Sequence, residues 1–351
     1  MNAIDRVVAS IRPLDEAAME AARQRQCELT KPAGSLGRLE ELAIQIAGIT
    51  GRVRPRLPRK AVVIMAGDHG VCAEGISAYP PEVTPQMVMN FLAGGAAINV
   101  LGRRVGARVV VVDVGVAAEL PARDGLVHRK VAMGTKNLAS GPAMTRAEAE
   151  MAIQVGIQVV QAEMEKGLDL VATGEMGIGN TTASSAIVAV LADRPVAEVV
   201  GRGTGVDDGG LRRKIRAIEK GIRINRPDPS DPVDVLAKVG GLEIAGLVGV
   251  ILAGAACRLP VVVDGFISGA AALVAARICP RVCGYMVPSH QSVETGHGAI
   301  FEALGLRPLL NMDMRLGEGT GAAIAMHLID DALAIQDEMA TFSEAGVSGK
   351  G

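Results

Sequence analysis

The sequence predicts an α/β fold with a mostly parallel, Rossmann-like sheet of about six strands flanked by helices. Short apolar runs rich in β-branched residues recur along the chain, and helical patterns separate them. Continuous apolar runs of this length indicate strands that are buried on both faces. Several of the runs open into polar, glycine-containing loops. In sheets of this kind, ligands bind beyond the carboxyl ends of the strands.

Six apolar runs are the predicted strands. In chain order they cover residues 61–66, 108–113, 168–173, 260–264, 284–288 and, with the weakest pattern, 307–310. Predicted helices cover residues 84–105, 145–166, 181–192, 210–223, 244–257, 268–278 and 291–304. This alternation predicts a parallel sheet with helices on both sides.

The two ends of the chain differ from its middle. Residues 14–29, 35–51 and 327–342 have the pattern of charged amphipathic helices, and no strand separates the first two. We therefore predict a large α/β domain of residues 57–319. A small helical domain is predicted to combine residues 1–56 with residues 320–351.

Composition excludes several classes of protein. The formal net charge is −2 and aromatic residues make up 2% of the chain, so a basic field and base-stacking surfaces for nucleic acid are both missing. Five scattered cysteines indicate reduced thiols rather than a disulfide framework, and Cys279 and Cys283 lack the second pair that a zinc site needs.

No targeting or membrane segment is evident in the sequence. The first residues lack the apolar core of a signal peptide, and residues 244–257 are too short and glycine-rich for a strong membrane span. The predicted location is the cytoplasm.

Five predicted strands are each followed by a loop with acids, hydroxyls or histidine, and four of these loops also contain glycine. The loops contain Asp68-His69, residues 174–182, residues 264–269, residues 288–291 and Glu318. Turns by themselves require some glycine, but not this repeated polar chemistry. We therefore predict a ligand cleft at this edge of the sheet. The histidines in or near these loops, His69, His290 and His297, either order the cleft or have a structural role.

The loop of residues 174–182 predicts a phosphate site. Gly177, Gly179, Asn180 and Thr181 offer backbone and side-chain donors at the N-terminus of a predicted helix. The loop lacks the Gly-Lys-Ser/Thr ending of a nucleotide triphosphatase. The alternative is that Thr181 only caps the helix.

A second glycine-rich loop covers residues 201–210 and contains Gly203 and Thr204. Lys214 follows within the next predicted helix and could reach a phosphate. The pair Asp207-Asp208 superficially resembles the acidic pair of diphosphate-dependent phosphoribosyltransferases, but no apolar strand precedes it. The alternative is a solvated capping loop.

Glu318 is a single carboxylate between Gly317 and Gly319. Glycine on both sides lets the backbone turn tightly and approach a ligand, so Glu318 is a candidate catalytic carboxylate. The spacing of Gly317, Gly319 and Ala322 also matches a permissive dinucleotide fingerprint. Only about 30 residues follow it, too few for the next strand and its ribose-binding acid.

Taken together, these segments resemble the nicotinate-nucleotide–dimethylbenzimidazole phosphoribosyltransferase family of cobalamin biosynthesis. The resemblance follows the family's order through nearly the whole chain, and the loop of residues 174–182 is among its most specific parts. The matching segments are residues 31–40, 66–71, 77–88, 174–182, 201–205, 264–266, 289–290 and 314–322.

The resemblance implies transfer of phosphoribose from nicotinate mononucleotide to 5,6-dimethylbenzimidazole by a homodimer. We expect no cofactor, and no metal, because the donor has one phosphate and no diphosphate to neutralise. Glu318 matches the family's catalytic base, and Glu175 and its loop match the segment near the phosphoribosyl group. Gln86 lies in the segment that helps line the benzimidazole pocket. Further predicted substrate-binding residues are Gly203, Thr204, Lys214, Asp264, Ser289 and Leu316.

Two alternatives remain at this point. One is a phosphoribosyltransferase or nucleosidase that uses another acceptor, such as a different benzimidazole, a purine, a phenol or water. The other is a nucleotide-binding sensor without catalytic activity.

Overall fold

A computed structural model describes residues 2–348 of the chain. Its main sheet contains six parallel strands in the order β3-β2-β1-β4-β5-β6, and β7 and β8 pair in a separate parallel sheet. The strands are β1 Lys60–Gly67, β2 Ala107–Gly115, β3 Leu126–His128, β4 Leu170–Met176, β5 Val261–Val263, β6 Met286–Pro288, β7 His290–Gln291 and β8 Leu310–Asn311.

The predicted α/β class and the parallel, Rossmann-like sheet are confirmed, and five of the predicted runs are strands of the main sheet. The prediction that residues 307–310 form a sixth main strand is wrong, because Leu310 belongs to β8. The sixth strand is instead β3, which pairs with the edge of β2. Of its three residues only Leu126 is buried, so no apolar run marked it.

Helices lie between the strands and at both ends of the chain. They are α1 Ala3–Ser10, α2 Glu16–Glu28, α3 Arg38–Thr50, α4 Val83–Ala93, α5 Ala97–Val105, α6 Arg146–Glu165, α7 Asn180–Leu191, α8 Val196–Val199, α9 Asp208–Asn225, α10 Pro232–Val239, α11 Leu242–Ala256, α12 Phe266–Ile278, α13 Gly296–Leu304, α14 Thr320–Glu338 and α15 Phe342–Ala345. The predicted helix 84–105 is two helices, because Gly94 adopts a left-handed conformation, with φ at +78°, and ends α4.

Within residues 2–348, no helix has the length and apolar character needed to span a bilayer.

The central strand β1 is buried on both faces, as its continuous apolar run predicted. Ala61, Val63 and Met65 belong to the core that includes α6, α7, α11 and α12. The alternating residues Val62 and Ile64 belong to the opposite core, with α3, α5 and α14. The sheet thus separates two helical layers.

Helices α6 and α11 cross on the first face with their backbones almost in contact. A Cβ atom built on Gly156 would lie 1.9 Å from the Gly246 oxygen, and one on Gly249 would lie 1.9 Å from the Ile153 oxygen. Only glycine fits at this crossing. The close packing fixes α11, whose first turn carries Glu243 beneath the polar loops.

The helices from the two ends of the chain contact each other. The Arg25 side chain in α2 donates from Nε to the Gln336 carbonyl oxygen of α14 at 2.5 Å, and Leu29 pairs with Thr341 in an antiparallel bridge. The first part of α14 also packs on the sheet through Ala322 and Met326. The division into domains 57–319 and 1–56 with 320–351 stays a prediction.

Candidate active site

A cavity of about 490 Å³ opens at the carboxyl edge of the main sheet. It lies beside β4 and β5, close to the point where the strand order changes direction between β1 and β4. Open parallel sheets bind ligands at such a point. Nine of the predicted site residues line the cavity: Glu175, Gly177, Asn180, Thr181, Gly203, Thr204, Asp264, Leu316 and Glu318.

The other four predicted residues do not line the cavity. Gln86 is exposed on α4, and its neighbour Met87 contributes to the wall instead. Gly179 is the N-cap of α7, with φ at +96°. Ser289 is fully buried and donates to the Asp264 carbonyl oxygen at 3.1 Å. Lys214 does not reach the cavity itself, but its Nζ donates at 2.7 Å to Oγ1 of the lining residue Thr181.

Glu318 has a left-handed backbone, with φ at +62°, between Gly317 at +81° and Gly319 at +91°. This conformation is unfavourable for a residue with a Cβ atom and costs on the order of 1 kcal/mol. The side chain is 6% exposed, lines the cavity and accepts a hydrogen bond at 3.4 Å from the Ile98 backbone N–H to Oε2. Surrounding contacts therefore hold Glu318 in a strained turn.

Asp264 supplies the main contacts to that turn. Its Oδ2 accepts from the Gly319 backbone N–H and its Oδ1 from the Ala322 backbone N–H, each at 3.0 Å. These donors belong to the otherwise unpaired N-terminus of α14, where a carboxylate is favoured. Asp264 is 1% exposed. Both of its carboxylate oxygens therefore fix the backbone that carries Glu318.

Glu175 lies against the same turn. Its Oε2 accepts a hydrogen bond from Asn180 Nδ2, and a Cβ atom on Gly317 would lie 2.1 Å from its Oε1. Glycine at position 317 thus makes room for the second acid. Burial, followed by the charges of Asp264 and Glu243, raises the pKa of Glu175 to about 8.

The pKa of Glu318 is also raised. Burial is the main cause, the Asp264 charge adds to it, and the Ile98 N–H opposes it. Glu175 is therefore mostly protonated at neutral pH and can donate a hydrogen bond, whereas Glu318 in its ionised form is a stronger base than an exposed glutamate.

Lys214 joins the two glycine-rich loops. Besides Thr181, its Nζ contacts the Gly201 carbonyl oxygen at 3.2 Å. Burial lowers the pKa of Lys214 to about 8, and the charge of Glu294 opposes this shift. Since Gly179 is the N-cap, the Thr181 hydroxyl does not cap α7 and is instead held at the cavity by the lysine.

The pair Asp207-Asp208 has a structural role in the described chain. Asp207 caps α9 by accepting from the Gly210 backbone N–H at 2.7 Å, and Asp208 forms an ion pair with Arg202 at 2.5 Å. For these two acids, the alternative prediction of a solvated capping loop fits the structure.

Two of the histidines support the site from beneath. His69 Nε2 contacts Glu243 Oε1 at 2.6 Å, with both side chains fully buried. A Cβ atom on Gly177 would lie 3.4 Å from the same ring nitrogen, so His69 packs directly under the loop. His297 accepts from the Ser292 backbone N–H at 2.9 Å, and burial lowers its pKa to about 3.

Several cavity residues were not predicted from the sequence. They are Tyr79, Phe266, His290 as a wall residue, Ser292, Glu294 and Arg315. The sequence carried a signal for some of them: Phe266 and His290 lie in predicted cleft loops, and Arg315 precedes Glu318 by three residues in the same loop. Among residues 2–348, no group of three or more His, Cys, Asp or Glu side chains could hold a metal ion.

Comparisons with known proteins identify the family of the chain. A family model described as phosphoribosyltransferase matches residues 11–347. A protein of Chloroflexus aggregans named nicotinate-nucleotide–dimethylbenzimidazole phosphoribosyltransferase is 61% identical over 350 residues, which are 100% of this chain and 99% of that protein. The chain belongs to this family. The family that the sequence resembles is thereby confirmed.

Further members of the phosphoribosyltransferase family are similarly close. A relative of the same name from Desulforudis audaxviator is 59% identical over 348 residues, covering 99% of each chain. The crystal structure of CobT from Thermus thermophilus superposes with a TM-score of 0.92 at 50% identity, covering 95% of this chain and 100% of that one.

The capping role of Asp264 predicts a stability effect. Asp264→Ala leaves two backbone N–H groups without an acceptor and is expected to lower the free energy of unfolding by about 3 kcal/mol. Asp15→Ala is the matched control, because Asp15 caps α2 away from the cavity, accepting from the Ala18 N–H at 2.9 Å. It should cost about 1 kcal/mol. Urea denaturation measures both, and equal losses would contradict the double cap.

Proposed function

We propose that this family member transfers the phosphoribosyl group of nicotinate mononucleotide to 5,6-dimethylbenzimidazole, releasing nicotinate and forming α-ribazole 5′-phosphate. The observation that carries the proposal is the placement of Glu318. A buried carboxylate projects from a strained turn into a cavity that also contains a glycine-rich helix N-terminus. That arrangement suits a flat acceptor base beside a phosphate.

Glu318 is the proposed general base. A lone pair on one benzimidazole nitrogen attacks ribose C1′, the ring becomes cationic, and the N–H on its other nitrogen becomes acidic. A carboxylate facing that N–H takes the proton and offsets the developing charge, which typically contributes roughly 10²–10⁴ in rate. Attack opposite the departing pyridine converts the β-nucleotide to the α-riboside.

The loops at Gly177 and Gly203 are proposed to hold the phosphate. Both line the cavity, and the loop of Gly177 leads into the N-terminus of α7, where backbone N–H groups favour an anion. Lys214 would add positive charge through Thr181, because a bound phosphate favours its protonated form. Binding energy at this remote group can be used to orient C1′ toward the base.

Glu175 is proposed to act as a neutral hydrogen-bond donor to the ribose hydroxyls. Its raised pKa, next to an acid that must be ionised, gives the two carboxyl groups different roles in one cavity. Asn180 fixes the orientation of Glu175. The remaining substrate-binding assignments, Gln86, Gly179, Asn180, Thr204, Asp264, Ser289 and Leu316, stay predictions, as do the homodimer and the cytoplasmic location.

One assay tests the proposed function against its alternatives. The purified chain is incubated with nicotinate mononucleotide and a panel of bases, and both free nicotinate and ribosylated product are measured. We expect both products with 5,6-dimethylbenzimidazole, and a kcat lowered roughly 10²–10⁴-fold in a folded Glu318→Gln variant. Nicotinate release with water or another base would favour the other transferase, and binding without release would favour a sensor.

The role of Glu175 predicts the pH dependence of kcat/KM. A carboxyl group with a pKa of about 8 is mostly protonated at neutral pH and loses its proton above that value. Wild-type kcat/KM should therefore fall as the pH rises through about 8. Glu175→Gln, which cannot ionise, should show a smaller fall, because Lys214 still titrates near the same pH. We expect the variant to keep kcat within about tenfold of wild type near neutrality. A loss as large as that of Glu318→Gln would show that Glu175 works as an anion.

A further inference from the structure

Arg315 is a basic cavity residue that the proposed chemistry leaves without a role. It precedes Glu318 by three residues, and its Nη1 donates to the Gly203 carbonyl oxygen across the cavity at 3.1 Å. Among the lysines and arginines of residues 2–348, it is the only one that lines the cavity. Its Nε and Nη2 groups donate to no other described residue.

The surroundings of Arg315 are acidic. Four carboxyl residues line the same cavity: Glu175, Asp264, Glu294 and Glu318. The donor nucleotide carries a second anion besides its phosphate, namely the carboxylate on its pyridine ring. The ionised acids of this wall, Glu318 among them, would repel this carboxylate unless a cation faced it. A planar guanidinium with free N–H groups is well suited to a carboxylate, because it can donate two parallel hydrogen bonds.

We propose that Arg315 binds the ring carboxylate of the nicotinate leaving group and selects acid donors over amide donors. This inference rests on the proposed function and adds a specificity-determining residue to it. The contact with Gly203 would hold the guanidinium between the Glu318 loop and the second glycine-rich loop.

Charge development strengthens the proposed contact during the reaction. In the donor, the ring nitrogen is cationic and balances the carboxylate, so the ring system is neutral overall. When the C1′–N bond breaks, its electron pair stays on the ring nitrogen and the leaving group becomes a net anion. The attraction to Arg315 therefore grows toward the transition state, and such an interaction raises kcat as well as affinity.

The test compares nicotinate mononucleotide with nicotinamide mononucleotide as donors for wild type, Arg315→Met and Arg213→Met. Arg213 is a matched control, since its Nε donates to the Gly75 carbonyl oxygen at 2.9 Å and it does not line the cavity. We expect Arg315→Met to lower kcat/KM roughly 10- to 100-fold for the acid donor. The amide donor should change by less than about threefold, and Arg213→Met should keep the wild-type donor ratio.

A binding measurement separates this inference from the reaction itself. Calorimetric titration with free nicotinate and nicotinamide should show that wild type prefers the acid and that Arg315→Met loses the preference, even if no base is ribosylated. An unchanged donor ratio or unchanged nicotinate preference in Arg315→Met would overturn the proposal. Equal losses for both donors would also overturn it, because they would indicate that Arg315 only supports the loops.

Discussion

The candidate site depends on the two hydrogen bonds that Asp264 accepts from the N-terminus of α14. They connect the carboxyl end of β5 to the backbone that carries Glu318. A glutamate in a left-handed conformation is costly by itself, and two charge-assisted bonds on its C-terminal side offset that cost. The buried acid is thus held on the cavity wall by the sheet rather than by a flexible loop.

The closeness of several acids determines which carboxyl groups of the site are protonated. Glu175, Asp264 and Glu318 share a poorly solvated corner with Glu243 below them. Like charges in such a corner disfavour simultaneous ionisation. Holding one proton on Glu175 relieves the repulsion and leaves Glu318 available as a base. Glu175 can then donate a hydrogen bond while Glu318 accepts a proton, although both side chains are glutamates.

Much of the fold was predictable because it depends on local patterns. Continuous apolar runs identified five of the main strands, and glycine-rich strand ends identified the edge that holds the cavity. The short edge strand β3 was not predictable, since it is held by pairing with β2 rather than by apolar residues of its own. The break between α4 and α5 was also missed, although Gly94 marks it.

The site was predictable to the level of its loops but not of its contacts. The sequence pointed to Asp264 as a ligand contact, whereas the structure directs both of its carboxylate oxygens to backbone N–H groups. Likewise, the glycines around Glu318 permit the left-handed turn and the close approach of Glu175, as well as leaving space for a ligand. Such roles depend on contacts between residues more than 50 positions apart in the sequence, for which a single sequence carries no pattern.

A crystal structure of the protein with 5,6-dimethylbenzimidazole bound would test the proposed role of Glu318 as the general base. We expect the flat ring inside the cavity, with one ring nitrogen within about 3 Å of a Glu318 carboxylate oxygen. A ring bound with both nitrogens turned away from Glu318, or bound outside this cavity, would contradict it.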